Sequence, residues 1–219
     1  MGIIVAIDGP AGSGKSSTAK EVALQLKYLY IDTGAMYRAV TLETINRNVD
    51  VADHKSVIGI ASEIKINFQW IGNDLHTFMN GNDVSKQIRS SQVAELVSPV
   101  AAIPGVREIL AGEQRLMAEK ENIVMEGRDI GTNVFPEAEY KIYMQADVEV
   151  RAKRRLKDYI NIGQDIEIAE IVKELQKRDK IDSSRSHSPL KKADDAIVID
   201  TTNMDFNEQV KAIVDIVDK

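Results

Sequence analysis

Residues 9–16 read Gly9-Pro10-Ala11-Gly12-Ser13-Gly14-Lys15-Ser16, the G-x-x-x-x-G-K-[ST] pattern, set directly between an apolar run, Ile3–Ile7, and a helical pattern. No other stretch limits the possible folds so sharply. Glycines let the backbone turn tightly enough for successive N–H groups, and the N-terminus of the following helix, to point at phosphate oxygens. The Lys15 ammonium suits the outer phosphates and the Ser16 hydroxyl a magnesium ion. The plainer alternative, a Gly-rich turn beside a solvated lysine, leaves both flanks without a reason. The stretch Gly9 to Ser17 is therefore expected to bind the phosphates of ATP, with Mg2+.

Five short apolar runs have the look of buried parallel strands: Ile3–Ile7, Tyr28–Ile31, Ile123–Met125, Tyr140–Met144 and Ala196–Ile199. Helical patterns fill the gaps. From Ser16 to Leu26, apolar residues recur at Ala19, Val22, Ala23 and Leu26, the spacing of one buried helix face. Parallel neighbours need crossover connections, so an α/β fold with helices on a parallel sheet follows. Between the second and third runs the chain is far longer than the ~30 residues of a βαβ unit. Inside that gap, Ile64–Phe68 and His76–Met79 flank Ile71-Gly72-Asn73-Asp74, and Gly81-Asn82-Asp83 follows, the pattern of a small hairpin or meander. An accessory subdomain is expected at about 63–97, with Trp70 in its local core. After the fourth run, Asp147 opens a helix rich in Arg and Lys, and a polar stretch, Ser183–Ser188, ends at Pro189.

A formal charge of −6 argues against wholesale binding to nucleic acid or anionic membrane. The absence of cysteine excludes disulfides, thiolate nucleophiles and Cys-ligated metal centres, and indicates a reducing compartment. Ile3–Ile7 is too short for a signal sequence, position 6 is Ala where a myristoylation signal wants Ser or Thr, and no apolar stretch nears the ~18 residues of a membrane span. A cytoplasmic protein is expected. His54, His76 and His187 lack metal-ligand spacing.

Neither Asn-Lys-x-Asp nor Asp-x-x-Gly occurs, which removes the GTPases and leaves small-molecule kinases, ATPases and ATP-responsive switch modules. Phosphoryl transfer needs further cations, because charge spreads over the moving oxygens. Four segments can supply them. Asp32-Thr33-Gly34-Ala35-Met36-Tyr37-Arg38 is a polar strand end entering a helix, and Glu126-Gly127-Arg128-Asp129-Ile130-Gly131 another strand end, the places where parallel sheets bind ligands. Arg151 and Arg155 stand at i and i+4 with Arg154 beside them; an anion shared between them and a solvated helix face are equally good readings. Arg178, Asp182 and Arg185 lie along one helical stripe, fit for a sugar-phosphate or for a structural ion-pair ladder.

Taken together with Asp8-Gly9-Pro10 and Ser188-Pro189-Leu190…Ala193-Asp194-Asp195-Ala196, these segments resemble the bacterial cytidylate kinases over nearly the whole chain. The P-loop is common to many families, whereas D-T-G-A-M-Y-R followed by G-R-D-I-G across a long insert is far more specific. The resemblance implies a P-loop NTPase fold: a five-stranded parallel core (1–62, 98–146, 190–219), a monophosphate-binding insert (63–97) and a mobile lid (147–189). It implies ATP-dependent phosphorylation of CMP and dCMP by a monomer. Base reading falls on Thr33, Arg107 and Asp129; sugar contacts on Ser98, Arg178 and Asp182; phosphate contacts on Arg38, Arg128 and Arg185, with Tyr37 and Gly127 completing the CMP site. Lys15, Arg128 and the lid arginines Arg151 and Arg155 are the implied catalytic groups. Ser184 and His187 depart from the family, which often has Asn and a small apolar residue there.

Overall fold

Apolar runs alternating with amphipathic stretches give the order β1 (Ile4–Asp8), α1 (Lys15–Leu26), β2 (Leu29–Asp32), α2 (Thr33–Asn46), α3 (His54–Glu63), β3 (Ile66–Ile71), β4 (Asp74–Met79), β5 (Asn82–Asp83), α4 (Ser91–Ala101), α5 (Pro104–Met117), β6 (Ile123–Gly127), β7 (Tyr140–Gln145), α6 (Val148–Asn161), α7 (Ile168–Ser184), β8 (Ile197–Asp200) and α8 (Phe206–Val217). This is a computed structural model; it describes all residues except 1, 73, 120, 162, 164 and 219. The chain divides into two compact units, Met1–Ile31 with Ala118–Lys219, and Asp32–Met117.

The first unit is built on a five-stranded parallel sheet in the order β2-β6-β1-β7-β8. All five residues of β1 and all five of β6 are buried, which is why both read as apolar runs up to the carboxylates Asp8 and Glu126 near their ends. The chain leaves central β1 for β2 at one edge, returns through β6, and then builds β7 and β8 on the other side. Parallel register sets Asp8 of β1 beside Gly127 of β6 and Tyr143 of β7, so the C-terminal ends of three strands meet where the order reverses, the usual ligand position of such sheets. Helix α1 buries Ala19, Val22 and Ala23, as its spacing predicts, together with Thr18, while Leu26 at its end is only half-buried; α8 opens with a reciprocal capping box between Asp205 and Glu208. Helices α6 and α7 share a small apolar core of Ala152, Ile171 and Leu175, with Val148, Leu156 and Tyr159 at its margin.

The second unit packs α2, α3, α4 and α5 around Met36, Val40, Val57, Ile60, Ile88, Val93, Ile103 and Leu110. An antiparallel three-stranded sheet, β3-β4-β5, supplies the expected meander, with Ile66 opposite Met79 and Ile71 opposite Asp74; Asn73, in the expected turn, lies outside the described residues. The first strand starts two residues later than the sequence pattern indicates, because Ile64 caps α3 and donates its N–H to the Ile60 carbonyl. Trp70 does not sit in a local core: it is 37% exposed on β3, a strand whose last three residues are all exposed. The compact unit, 32–117, also extends well beyond 63–97 on both sides.

Candidate functional site

The loop from Gly9 to Gly14 wraps the end of β1 into α1. A side chain at Gly9 would place its Cβ 2.0 Å from the Met144 carbonyl oxygen. Gly14 is the N-cap of α1 at φ 93°, a left-handed conformation that disfavours any other residue. Among the described residues, no side chain caps α1 and no acidic residue occupies its first turn, so its N-terminal N–H groups and positive dipole end stay available to an anion. Ser17 turns its hydroxyl back to the Gly14 carbonyl at 3.0 Å.

Lys15 is buried, and its Nζ donates to the Pro10 carbonyl at 2.9 Å. Burial, and then the nearby Arg128 and Arg178 guanidiniums, pull its pKa down to about 7 against the opposing pull of Glu126 and Asp182. The Ser16 hydroxyl donates to Glu126 Oε1 at 2.7 Å. Glu126, the penultimate residue of β6, is buried and lies beyond the end of the strand expected from the sequence.

At the end of β6 the arginine expected to touch phosphate is tied into an acidic–basic cluster. Arg128 Nε donates to Asp182 Oδ2 at 2.9 Å and its Nη1 to the Gly127 carbonyl at 3.1 Å; Arg185 Nη1 lies 3.6 Å from Asp182 Oδ1. Burial works against the ionised form of Asp182, yet Arg128, Arg178 and Arg185 together hold its carboxyl below the usual range. Arg185 is not within the helical stripe: it is the C-cap of α7, at extended angles, and turns back to donate Nε to the Ser188 carbonyl at 2.7 Å. Asp129 is buried, and its Oδ2 accepts from Asn133 Nδ2 at 3.1 Å. Its carbonyl accepts from the Val134 N–H at 3.2 Å, opening a single π-helical turn, Ile130–Val134. Such turns recur at functional sites.

In the second unit, Asp32 caps α2 by accepting from the Ala35 N–H at 2.8 Å, and its other oxygen accepts from Arg38 Nη2 at 2.9 Å. One carboxylate thus starts the helix and aims the guanidinium. Thr33 is buried in the first turn of α2. Arg107, buried on α5, lies over the Tyr37 ring, 5.2 Å from its centroid, and donates Nη1 to the Ala101 carbonyl at 3.1 Å. Ser98 is half-buried on α4.

The three arginines of α6 do three different things. Arg151 is buried and donates to the Ala146 and Ala11 carbonyls, both at 3.0 Å, while Nη1 pairs with Asp179 at 2.7 Å. Arg154, to which the sequence assigns no role of its own, donates to the Ser13 carbonyl at 3.2 Å and to the Thr201 hydroxyl and carbonyl at 3.1 and 2.7 Å. The Thr201 hydroxyl donates in turn to the Ser13 carbonyl at 3.0 Å. Arg151 and Arg154 therefore brace the P-loop from behind through its carbonyls. Arg155 faces outward, 5.0 Å from the Tyr159 ring centroid and 3.8 Å from Asp158.

A backbone cradle on the central strand of a five-stranded parallel sheet, with a lysine at its base and guanidiniums around it, defines a P-loop phosphotransferase. Solved structures share this fold: an uncharacterised protein from Eubacterium ventriosum (TM-score 0.55, 14% identity, 99% of each chain) and a shikimate kinase from Bacteroides thetaiotaomicron (TM-score 0.50, 13% identity, 99% of each chain). The family profile "Cytidylate kinase" matches residues 5–219. Proteins named cytidylate kinase from Bacillus cereus (strain ATCC 10987 / NRS 248) and Bacillus thuringiensis (strain Al Hakam) are each 47% identical over 215 residues, covering 98% of this chain and 96% of theirs. The chain belongs to the cytidylate kinase family.

Proposed function

We propose that the chain transfers the γ-phosphoryl group of ATP to CMP and dCMP, giving CDP and dCDP, with the residues described above in these roles. The observation that carries the assignment is the grouping of Lys15 with Arg128 and Arg178, guanidiniums close enough to pull the lysine's pKa down, at the P-loop of a cytidylate kinase family chain. Glu126 and Asp182 offset part of this positive charge, and a nucleotide phosphate would offset more.

The protein contributes no covalent chemistry. It aligns donor and acceptor, neutralises charge and keeps out water, which would otherwise take the phosphoryl group. Lys15 and the P-loop N–H groups hold the ATP phosphates. Arg128, Arg38 and Arg185 take the acceptor phosphate, Arg178, Asp182 and Ser98 the sugar, and Arg155 the charge that develops in transfer. The donor set also fits Mg2+, a hard cation that takes oxygen ligands and is commonly held by one or two protein groups plus substrate phosphates. The Ser16 hydroxyl and the Glu126 carboxylate, 2.7 Å apart, are the groups that would hold it. Bound there, it would offset phosphate charge.

For the base, Asp129 is the decisive group. A carboxylate accepts from the cytosine N4 amino group and meets the uracil O4 lone pair to lone pair. Thr33, Tyr37 and Arg107 complete the contacts, with Arg107 suited to the N3 and O2 acceptors of cytosine. Every residue needed is on one chain, so a monomer suffices, and the cytoplasm, where ATP is supplied, is the place of action; among the described residues no helix is long and apolar enough to cross a membrane. A coupled ADP-release assay over CMP, dCMP, UMP and AMP tests the reading. Turnover with CMP and dCMP is expected. Equal turnover with UMP, or ADP release that needs no acceptor, refutes it.

A further inference from the structure

Asp8 is the last residue of β1 and the residue directly before the first P-loop glycine. It is buried between β6 and β7, and its two carboxylate oxygens accept one N–H each: Oδ1 from Ile130 and Oδ2 from Gly131, both at 2.8 Å. Those two N–H groups open the π-helical turn that follows Asp129. One side chain therefore joins the start of the ATP loop to the turn that begins at Ile130, 122 residues away in sequence and directly after Arg128–Asp129.

The choice of a carboxylate asks for a reason. Burying an ion among strands costs free energy, and here burial, with Asp129 adding to it, pushes the Asp8 carboxyl up to about 7 despite the two N–H donors and Lys15. A neutral acid would point an O–H at one of two N–H donors, and an amide would do the same with its NH2. The ionised carboxylate meets both partners best, with an acceptor oxygen for each and no hydrogen on either. A structural tie between strands needs no such group, because the β1–β6 ladder already joins Ile4 through Asp8 to Ile123 through Gly127. What lies beyond the ladder, and is held by Asp8, is the backbone on either side of Asp129.

We infer that Asp8 is a positioning residue for the acceptor nucleotide: it holds the Asp129–Gly131 backbone so that the Asp129 carboxylate and the Arg128 guanidinium keep a set place relative to the P-loop. This rests on the reading above that Arg128 and Asp129 bind CMP. Its two oxygens each accept a backbone N–H, and it is through these that Asp8 acts on Asp129.

The test replaces Asp8 by Asn, which keeps the shape and leaves one buried N–H facing an NH2. An unpaired buried donor corresponds to roughly a tenfold effect. The expected result is a KM for CMP raised about tenfold and a CMP-over-UMP preference lowered by about the same factor, while the Kd of a fluorescent ATP analogue stays within about twofold. Asp129→Ala is assayed alongside. If Asp129→Ala raises the KM for CMP and Asp8→Asn does not, the positioning role is wrong. If neither does, the assignment of this turn to CMP is wrong. A Kd for the ATP analogue that rises as much as the KM for CMP also overturns the inference, since it marks a general loosening of the fold. Should Asp8→Asn fail to fold, the wild-type protein decides the matter by NMR: CMP alone is expected to shift the Ile130 and Gly131 amides, the ATP analogue alone is not, and unmoved amides with saturating CMP contradict the proposal.

Discussion

The P-loop and the segments proposed for the acceptor are two ways of making a phosphate site. The P-loop is contiguous: eight successive residues, three of them glycine, present backbone N–H groups from one turn and one helix end. The residues proposed for the acceptor come one or two at a time from separate elements, α2, α4, α5, α7 and the end of β6, and the arginines among them are oriented by partners of their own. Arg38 is held by Asp32, Arg128 by Asp182, Arg107 by the Tyr37 ring and the Ala101 carbonyl. A backbone site recognises what all nucleoside triphosphates share. A site of oriented side chains can tell one base from another, at the cost of needing every orienting partner in place.

The contrast is sharpest if the two are broken separately. Lys15→Ala is expected to give the largest loss, about 10²–10³ in kcat, because it removes the one charged side chain of the cradle. Its Tm should not fall, since a lysine pulled down to about 7 by burial is not stabilising the fold in its charged form. A matched loss of Tm and kcat would make Lys15 structural instead.

Next in size is Arg151→Ala. The change leaves the half-buried Asp179 without its guanidinium and the Ala11 carbonyl without a donor, a loss of about 1–3 kcal/mol. Thermal unfolding should show it as a lowered Tm. Arg155→Ala, on the same helix but facing outward, should leave Tm unchanged and lower kcat about tenfold, the signature of an arginine that acts only when α6 closes over ATP. If kcat is unaffected, Arg155 is a solvated residue stacked on Tyr159 and no more. The pair at i and i+4 expected from the sequence to share one task would then have no catalytic member.

The smallest effect concerns protons. Bound phosphate restores the Lys15 charge, so ATP binding takes up a proton wherever the free lysine is neutral. The free enzyme loses that proton as pH rises through about 7, and affinity should weaken about fivefold from pH 7 to pH 8. Calorimetry in buffers of different ionisation enthalpy reads the uptake directly. A binding enthalpy independent of buffer would place the Lys15 pKa elsewhere.

Legibility in the sequence follows the same division. The parallel strands and the P-loop could be read because each is a local pattern: an apolar run, a glycine spacing, a helix face at Ala19, Val22 and Ala23. Glu126 stands in the sequence only as the polar end of a run that stops at Met125, and nothing local marks it as the partner of Ser16. Asp8 carried no visible role, since its partners, Ile130 and Gly131, are backbone groups far along the chain and no side-chain pattern marks them. Arg151, Arg154 and Arg155 looked alike because helical spacing says which residues share a face, not which carbonyls wait beneath it. Ala11, Ser13 and Thr201 decide that, and only the fold brings them there. Trp70 departs for the opposite reason: an aromatic ring beside a hairpin suits a local core, but this three-stranded sheet leaves the last residues of β3 exposed.

The comparison between kcat/KM for CMP and for UMP, on the wild-type protein and on Asp129→Ala, tests most directly whether oriented side chains choose the base. Sites built on hydrogen bonds reject a mismatched analogue by up to ~10⁴–10⁵ because buried polar groups are left unpaired. The wild-type protein should therefore favour CMP by about 10² or more, and Asp129→Ala should lose most of that preference, chiefly through slower reaction with CMP. Equal use of UMP by the wild-type protein, or a preference that survives the loss of Asp129, would contradict it.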